Sequence, residues 1–333
     1  MKCGVPVLIP VFRIRRSVIA LALALCSGAA AVVIATGPTQ ADFTRAALDR
    51  RAPVVAERTY HLKAGVRLLL FWIRRDNVGS ARITWRAGRG DHRVLEFLVG
   101  SDPERAPRHV NRWGFIAEEV RPPDADLLGI MSKSDDQSVD DAKSEIEAEA
   151  AGGRHPYRGI RTTIRGDSAS GGVFHVSTAK PLTYRDLGTL LGMIPASVPA
   201  SRTVSLPKGT RPGFLFAVEE LITSTLDQCR AGVHAEPPPM PYVYNNTFYT
   251  LRLRQCDMDA KREIGDRVFL GVIRSDFETK NTTTGNKTNF HLEYGTAGDL
   301  KAVPLRIVFR PKWWFEAELL LDTPPETAGA ADR

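Results

Sequence analysis

The chain has 333 residues with apolar and charged contents of 43% and 25%, ordinary values that allow a hydrophobic core. Its formal charge of +7 is concentrated at the start, because Lys2, Arg13, Arg15 and Arg16 precede the first acidic residue. Without residues 1–41 these four positive charges are lost and +3 remains. The balance therefore does not favour a nucleic-acid partner.

Residues 1–41 have the three-part pattern of an export signal. A basic segment ends at Arg16, an apolar run of 20 residues follows over 17–36, and small residues lead to a cleavage motif ending at Ala41. The same run is long enough to be an uncleaved anchor with its basic end inside. Lipidation at Cys26 is disfavoured by the preceding leucine. We expect a periplasmic or secreted protein, which contacts the inner membrane only through this segment if it stays uncleaved.

Strand patterns begin after a tether or short helix over 42–56. From about Arg58 to Val99, period-two alternation and turn residues predict three hairpin-linked strands, and 115–120 predicts a return strand. The segment 132–153 differs because it is acidic and poor in apolar residues, which is typical of a solvated helix or mobile loop. It lacks the residue order of an EF-hand, so we expect no metal site there.

The clearest helix pattern starts near Thr210, a predicted N-cap, and presents one apolar face from Pro212 to Cys229. Cys229 and Cys256 are the only cysteines after the leader, and in an oxidising compartment they would close a loop of about 27 residues by a disulfide. The alternative is two buried thiols. A disulfide would link the segments before and after the Pro-rich connector 236–241, which favours a single domain over 57–322.

Beyond the connector the chain returns to strand patterns, and its last two strands alternate most regularly. Leu305, Ile307 and Phe309 share one face, and the arginines between them share the other. In a hairpin with the strand over 313–322, those arginines meet the glutamates of its partner across the sheet. The tail 323–333 has the composition of a disordered end.

The sequence contains only weak matches to known catalytic motifs. Within Gly166–Gly172, the five residues Gly166–Ser170 nearly match the nucleophile elbow G-x-S-x-G, but the last motif position is serine instead of glycine. A strand rather than a helix follows. The histidines have no metal-ligand spacing. Acidic residues of the 102–119 region could supply paired carboxylates for sugar-polymer hydrolysis, although acids that cap turns are commoner. The candidate acids are Asp102, Glu104, Glu118 and Glu119.

Three segments resemble uncharacterised bacterial envelope proteins from families of unknown function. They are Val78–Trp85, the helix entry Leu206–Pro212, and Val303–Ile307. In shape, the likeness extends to the lipoprotein-carrier half-barrels of the periplasm, over roughly residues 57–322 with the acidic insert unmatched. The resemblance implies an open, curved antiparallel sheet wrapped on a helix, sometimes with an apolar groove, and carries over no catalytic residue.

The fold class we predict is α+β and predominantly antiparallel β, a curved open sheet or half-barrel around one long amphipathic helix. The first functional hypothesis is non-enzymatic binding of a lipid-like or amphipathic ligand between sheet and helix, with no cofactor. Two alternatives remain: a hydrolase of an envelope polymer, and a structural partner in an envelope complex that docks through the acidic insert or Trp314. The predicted ligand-binding residues are Trp72, Trp85, Phe214, Leu215 and Val218.

Overall fold

A computed structural model describes residues 52–68, 71–132, 154–195, 198–233, 237–312 and 315–322. The leader 1–41, most of the acidic insert 132–153, Trp313, Trp314 and the tail 323–333 lie outside the described residues, so the predictions made for them stay predictions. Of the tether 42–56 only the last residues are described, and these already enter the first strand at Val54.

The described strands form one antiparallel sheet of 14 strands. In chain order they are β1 Val54–Leu68, β2 Phe71–Ala87, β3 Arg93–Ser101, β4 Trp113–Arg121, β5 Asp124–Met131, β6 His155–Arg165, β7 Ser168–Thr178, β8 Arg202–Ser205, β9 Met240–Tyr244, β10 Thr247–Ile264, β11 Arg267–Asn281, β12 Lys287–Gly295, β13 Pro304–Lys312 and β14 Phe315–Leu321.

Helical segments are fewer and lie between strands. Helix α1 covers Leu187–Leu191 and follows a 3-10 turn at Tyr184–Asp186, whose Thr183 and Asp186 form a capping box. Helix α2 covers Phe214–Arg230. Two further 3-10 turns lie at Pro107–His109 and Gly298–Leu300.

The strand order shows two meanders joined by the first and last strands. It runs β8 to β1 and then β14 to β9, so each strand pairs with its neighbour in sequence except at the β1–β14 junction and at the β8–β9 connection. Helix α2 occupies that β8–β9 connection. The sheet therefore has two free edges, β8 and β9, and the helix lies between them in the sequence.

Those two edges approach each other through the β9–β10 turn. The side-chain amide of Asn246 in this turn donates to the carbonyl of Gly171 on β7 at 3.1 Å and to that of Arg202 on β8 at 2.8 Å. On the far side of β9, Arg211 adds a short parallel bridge to Tyr242. The sheet therefore curls until its ends meet, which defines an inner and an outer face.

Helix α2 lies on the inner face. Its buried residues Ala217, Leu221 and Ile222 share one core cluster with residues from both meanders, including Ile116 of β4 and Phe290 of β12. The disulfide Cys229–Cys256 joins the last turn of the helix to β10. The predicted disulfide is therefore present, and a helix of 17 residues lies in the region where a helix was predicted.

Two of the predictions about this helix are wrong. Thr210 is not its N-cap: its hydroxyl donates to the Pro207 carbonyl within the preceding turn, and the cap position is Gly213. Nor does α2 organise the whole sheet. Among the described residues, the cluster around Phe115, Leu128 and Leu190 and the cluster around Ala125, Leu127 and Val243 contain no residue of α2. A sheet wrapped entirely around the helix is therefore not confirmed.

The outer face is covered by two separate pieces of chain. Residues 182–195, including α1, and Val198 lie over β3–β7: the indole of Trp113 donates to the Leu182 carbonyl at 2.9 Å, and Leu187 and Leu190 pack on Phe115. This cover explains why β4 is buried on both faces and why its Trp113 is 4% exposed.

The second cover is the arm, defined as residues 260–271, where β10 and β11 continue past the last pair between β11 and β12 at Val272. Ile264 at its tip is buried in a cluster with Leu320, an outer-face residue of β14. Arg262 makes two hydrogen bonds, of 3.0 and 2.9 Å, to the buried carboxylate of Glu293. The arm is therefore held by both apolar and ionic contacts.

The closing hairpin matches its predicted pattern. Arg306 on β13 pairs with Glu318 on β14, and Arg310 pairs with Glu316, all on the outer face. Ile307 and Phe309 face inward in register with Leu319 and Ala317. The sequence pattern did not identify β5, whose cover on the outer face removes the alternation from Asp124–Met131.

The disulfide provides a test of how the helix is fastened to the sheet. Closing a loop of 27 residues should stabilise the protein by about 3.5 kcal/mol in the chain-entropy model. We expect reduction by dithiothreitol to lower the free energy of unfolding by this amount, measured by urea denaturation.

The matched control is the double variant Cys229→Ala, Cys256→Ala, whose unfolding should not respond to the reductant. Equal stability of the oxidised and reduced native protein would show that the crosslink does not restrain the unfolded chain.

Candidate functional site

The inner face carries a band of apolar side chains that is only partly covered. Alternation along the strands places their side chains on the same face as α2, and each is between buried and exposed. The members on β1–β3 and β13–β14 are Ala64, Trp85, Phe97, Val99, Ile307, Phe309 and Ala317. This inner band is where the apolar wall of the sheet remains accessible to solvent.

The opposite wall of the same space is the first turn and a half of α2. Phe214, Leu215 and Val218 are half-buried, whereas the residues further along the helix face, such as Leu221 and Leu226, are buried. Leu215 packs against two core clusters, one on each side of the helix. The N-terminal part of α2 and the inner band therefore both present partly exposed apolar side chains on the inner face.

Aromatic rings form the floor beside the helix. Phe214 lies 5.8 Å, between ring centroids, from both Tyr242 of β9 and Phe290 of β12. Tyr242 stacks on Tyr249, and Phe290 stacks on Phe277. Rings in stacked and tilted pairs hold one another in fixed orientations. The start of the helix therefore rests on a rigid base.

One buried carboxylate sets where the helix begins. Glu118 of β4 accepts hydrogen bonds from the backbone N–H groups of Leu215 at 2.8 Å and Phe216 at 3.0 Å. These are two of the donors that a helix N-terminus leaves unpaired. The cap position, Gly213, offers no side chain, and a Cβ there would be 2.2 Å from the Glu118 carboxyl carbon. Glycine is therefore required for steric reasons, since its φ of 175° is ordinary extended backbone.

Burial dominates the electrostatics of this carboxylate. It raises the pKa of Glu118 from 4.5 to about 7, although the hydrogen bonds from the helix backbone favour the charged form. Burial also raises the pKa of the phenols of Tyr242 and Tyr244, and the nearby Glu118 adds to both shifts. The hydroxyl of Tyr244 lies over Gly129, where a Cβ would be 2.0 Å away. Glu118, Tyr242 and Tyr244 thus form a buried polar group near the start of the helix.

The predicted ligand-binding residues are placed in two different regions. Phe214, Leu215 and Val218 share the helix wall, and Trp85 belongs to the same inner cluster as Leu215. Trp72 lies 13 residues before Trp85 on β2, about 40 Å along an extended strand. Its ring contacts the guanidinium groups of two outer-face arginines instead.

The carboxylates considered for hydrolysis do not converge. Neighbouring residues of a strand point to opposite faces, so Glu118 faces inward, whereas Glu119 faces outward and binds His92 and Arg121. Asp102 is 2% exposed and pairs with Arg185 and Arg105. Glu118 and Glu119 also lie in β4 rather than in a loop. The carboxylate pair of a glycosidase is not formed by these residues.

Two residues of the inner band could not be assigned to it from the sequence. Phe97 and Val99 lie in a strand that was identified, and their alternation was visible, but only the β1–β2–β3 register places them beside Ile83 and Ala81 on the inner face. The role of Glu118 was missed because its partners are 97 and 98 residues away in sequence. Nothing local in β4 indicates a helix cap.

In the described ranges no cluster of three or more histidine, cysteine or acidic side chains could hold a metal ion. Among the same residues, no helix combines the length and apolar character needed to cross a membrane.

No family model and no curated protein matches this chain. Two solved structures resemble it at low identity. One is a beta-barrel-like protein of the domain of unknown function DUF1849 from Brucella abortus, with 9% identity and a TM-score of 0.40, covering 81% of this chain and 96% of that one. The other is a candidate lipoprotein from Parabacteroides distasonis, with 7% identity and a TM-score of 0.27, covering 80% and 94%. They are proteins of the kind that the sequence resembles, and no property of either is transferred to this chain.

The raised pKa of Glu118 gives a testable dependence of stability on pH. The folded protein holds this proton up to about pH 7, whereas the unfolded chain releases it near 4.5. From this group alone, the free energy of unfolding should fall by roughly 3 kcal/mol as the pH rises from 4.5 to 7 and then level off. Glu118→Gln removes the titration, so urea unfolding of both proteins across this range should diverge with that slope.

Contributions of other groups, such as Glu293 with its lowered pKa, are common to both proteins and cancel in the difference. Glu263→Gln, at an exposed position of the arm, is the matched control and should run parallel to the native protein. A constant difference between Glu118→Gln and the native protein from pH 4.5 to 7 would contradict the burial argument.

Proposed function

We propose that this protein is an exported, non-enzymatic binding protein that holds a lipid-like or amphipathic molecule in the cleft between α2 and the inner band. The observation that carries the proposal is the partial exposure of apolar side chains on both walls, such as Phe97 on the sheet and Val218 on the helix. Apolar surface in a concave, partly open site is what an acyl chain would bury.

The energetics of such a ligand are sufficient. Each buried methylene contributes about 0.8 kcal/mol, so a chain segment of about twelve methylenes would contribute roughly 10 kcal/mol before the costs of association. Those costs are at least about 4 kcal/mol, which leaves at most about 6 kcal/mol, or a dissociation constant of roughly 40 μM or weaker. The described members of the inner band are all apolar, so a ligand that covers them does not have to remove water from a charged side chain of the band.

Export rests on two features. The leader 1–41 has the pattern of a signal, and the Cys229–Cys256 disulfide is typical of proteins that fold outside the reducing cytoplasm. We infer a periplasmic or secreted location, or an inner-membrane anchor if the leader is retained.

A second candidate is docking to another envelope protein. It is favoured by the outer side of the arm, where Val268 and Leu270 are 54% and 77% exposed. In this second candidate function the partner is a protein that contacts the arm, and no ligand on the inner face is required.

Binding of a fluorescent fatty acid tests the first proposal. We expect the delipidated protein to take it up saturably, and Phe97→Lys and Val218→Lys, one from each wall, to weaken binding at least about tenfold, because each places a charge against the chain. Fluorescence titration measures the affinity, and thermal unfolding shows that the variants fold.

Val268→Lys, on the exposed side of the arm, is the matched control and should bind like the native protein. No uptake by the native protein, or equal affinities for native protein and both cleft variants, would exclude a ligand in this cleft. Native mass spectrometry of the exported protein then shows whether a small molecule or a subunit accompanies it.

A further inference from the structure

On the outer face, near the start of β2, two arginines share one tryptophan. The guanidinium carbons of Arg74 on β2 and Arg310 on β13 each lie 5.8 Å from the ring centre of Trp72. Stacking on an aromatic ring holds a planar guanidinium in a fixed orientation. The three side chains form what we call the arginine pair site.

The same two arginines are joined below by one carboxylate. Glu316 of β14 binds Arg74 through one oxygen at 3.3 Å and Arg310 through the other. Its side chain is 4% exposed, whereas those of Arg74 and Arg310 are 55% and 60% exposed. Glu316 and Trp72 thus contact one side of each guanidinium group, and the rest of each group is exposed to solvent.

This arrangement leaves hydrogen-bonding capacity and positive charge. A guanidinium has five N–H donors, and the described bonds to Glu316 use one on each arginine. Two positive charges against one carboxylate leave the site with a charge of +1. Lys63 and Asp76, on β1 and β2, form a balanced ion pair that adds no negative excess.

The strand ends around the site are basic in sequence as well. In register, Arg67 of β1 is paired with Trp72, and Lys312 follows Arg310 by two positions on β13. The strand ends next to the site are therefore rich in basic residues.

We propose that the arginine pair site binds a phosphate monoester. Glu316 occupies one donor of each guanidinium, and the three terminal oxygens of a phosphate monoester can accept from remaining donors of both. The exposed edge of Trp72 offers apolar contact to the group that carries the phosphate. Phosphate bound here comes either from a soluble ester or from a lipid headgroup.

The site is separate from the cleft of the proposed function. Its residues face outward, whereas the neighbouring Ile73, 58% exposed, pairs with Val66 on the inner side of the strand. Phosphate binding does not require a ligand on the inner band, so either proposal can fail alone.

The experiment is a calorimetric titration of the full chain with glycerol phosphate, together with sedimentation on phosphatidylcholine vesicles containing phosphatidic acid. We expect saturable binding in at least one arm, weakened about tenfold or more in Arg74→Gln, Arg310→Gln. Binding of glycerol phosphate supports a soluble ester as ligand, and binding only to the vesicles supports a lipid headgroup. The matched control is Arg252→Gln, Arg254→Gln, which removes two exposed arginines of β10 and should bind unchanged.

A second variant separates charge from geometry. Arg74→Lys, Arg310→Lys keeps both charges but loses the planar donors, so its affinity should also fall, while thermal unfolding reports whether it remains folded. Absence of binding in both arms, or an affinity of the glutamine or lysine pair equal to that of the native protein, would overturn the proposal.

Discussion

The position of helix α2 depends on the hydrogen bonds between its first turn and the buried carboxylate of Glu118. The cap residue, Gly213, has no side chain to accept from the backbone, and the first turn contains no acidic residue. The cap is supplied by β4, on the opposite meander from β9 and β10, which the helix also contacts. The helix is therefore held by both halves of the sheet.

A second constraint is that this sheet has to be covered on both faces. A 14-stranded antiparallel sheet whose edges meet encloses more space than one helix fills. Stacked aromatic rings such as Tyr242 and Phe290 fill part of that space. Among the described residues, 182–195 cover the outer face of one meander and the arm covers that of the other. The part of the inner face that helix and rings cover incompletely is the inner band.

The limits of prediction from sequence follow from these covers. Strands covered on one face alternate, which is why the closing hairpin and the pairing of Arg306 with Glu318 could be predicted. Strand β5 is covered on both faces and was missed. The disulfide could be predicted because only two cysteines follow the leader.

Tertiary contacts account for the rest. Thr210 has the chemistry of an N-cap, but the helix begins at Phe214 because a carboxylate from β4 occupies the space above Gly213. Trp72 and Trp85 lie 13 residues apart on β2, an odd number, so strand alternation itself places their rings on opposite faces. The prediction that both line one site did not apply this alternation.

The closing hairpin connects the two proposed binding sites. Because successive side chains of a strand alternate, Phe309 on the inner band and Arg310 of the arginine pair site come from adjacent residues. A slip of one residue between β13 and β14 would move the arginines into the apolar interior and the apolar side chains outward. Pairing of Arg306 with Glu318 and of Arg310 with Glu316 opposes that slip, since burying either arginine without its carboxylate would cost several kcal/mol. The ionic contacts on the outer face thus maintain the apolar character of the inner one.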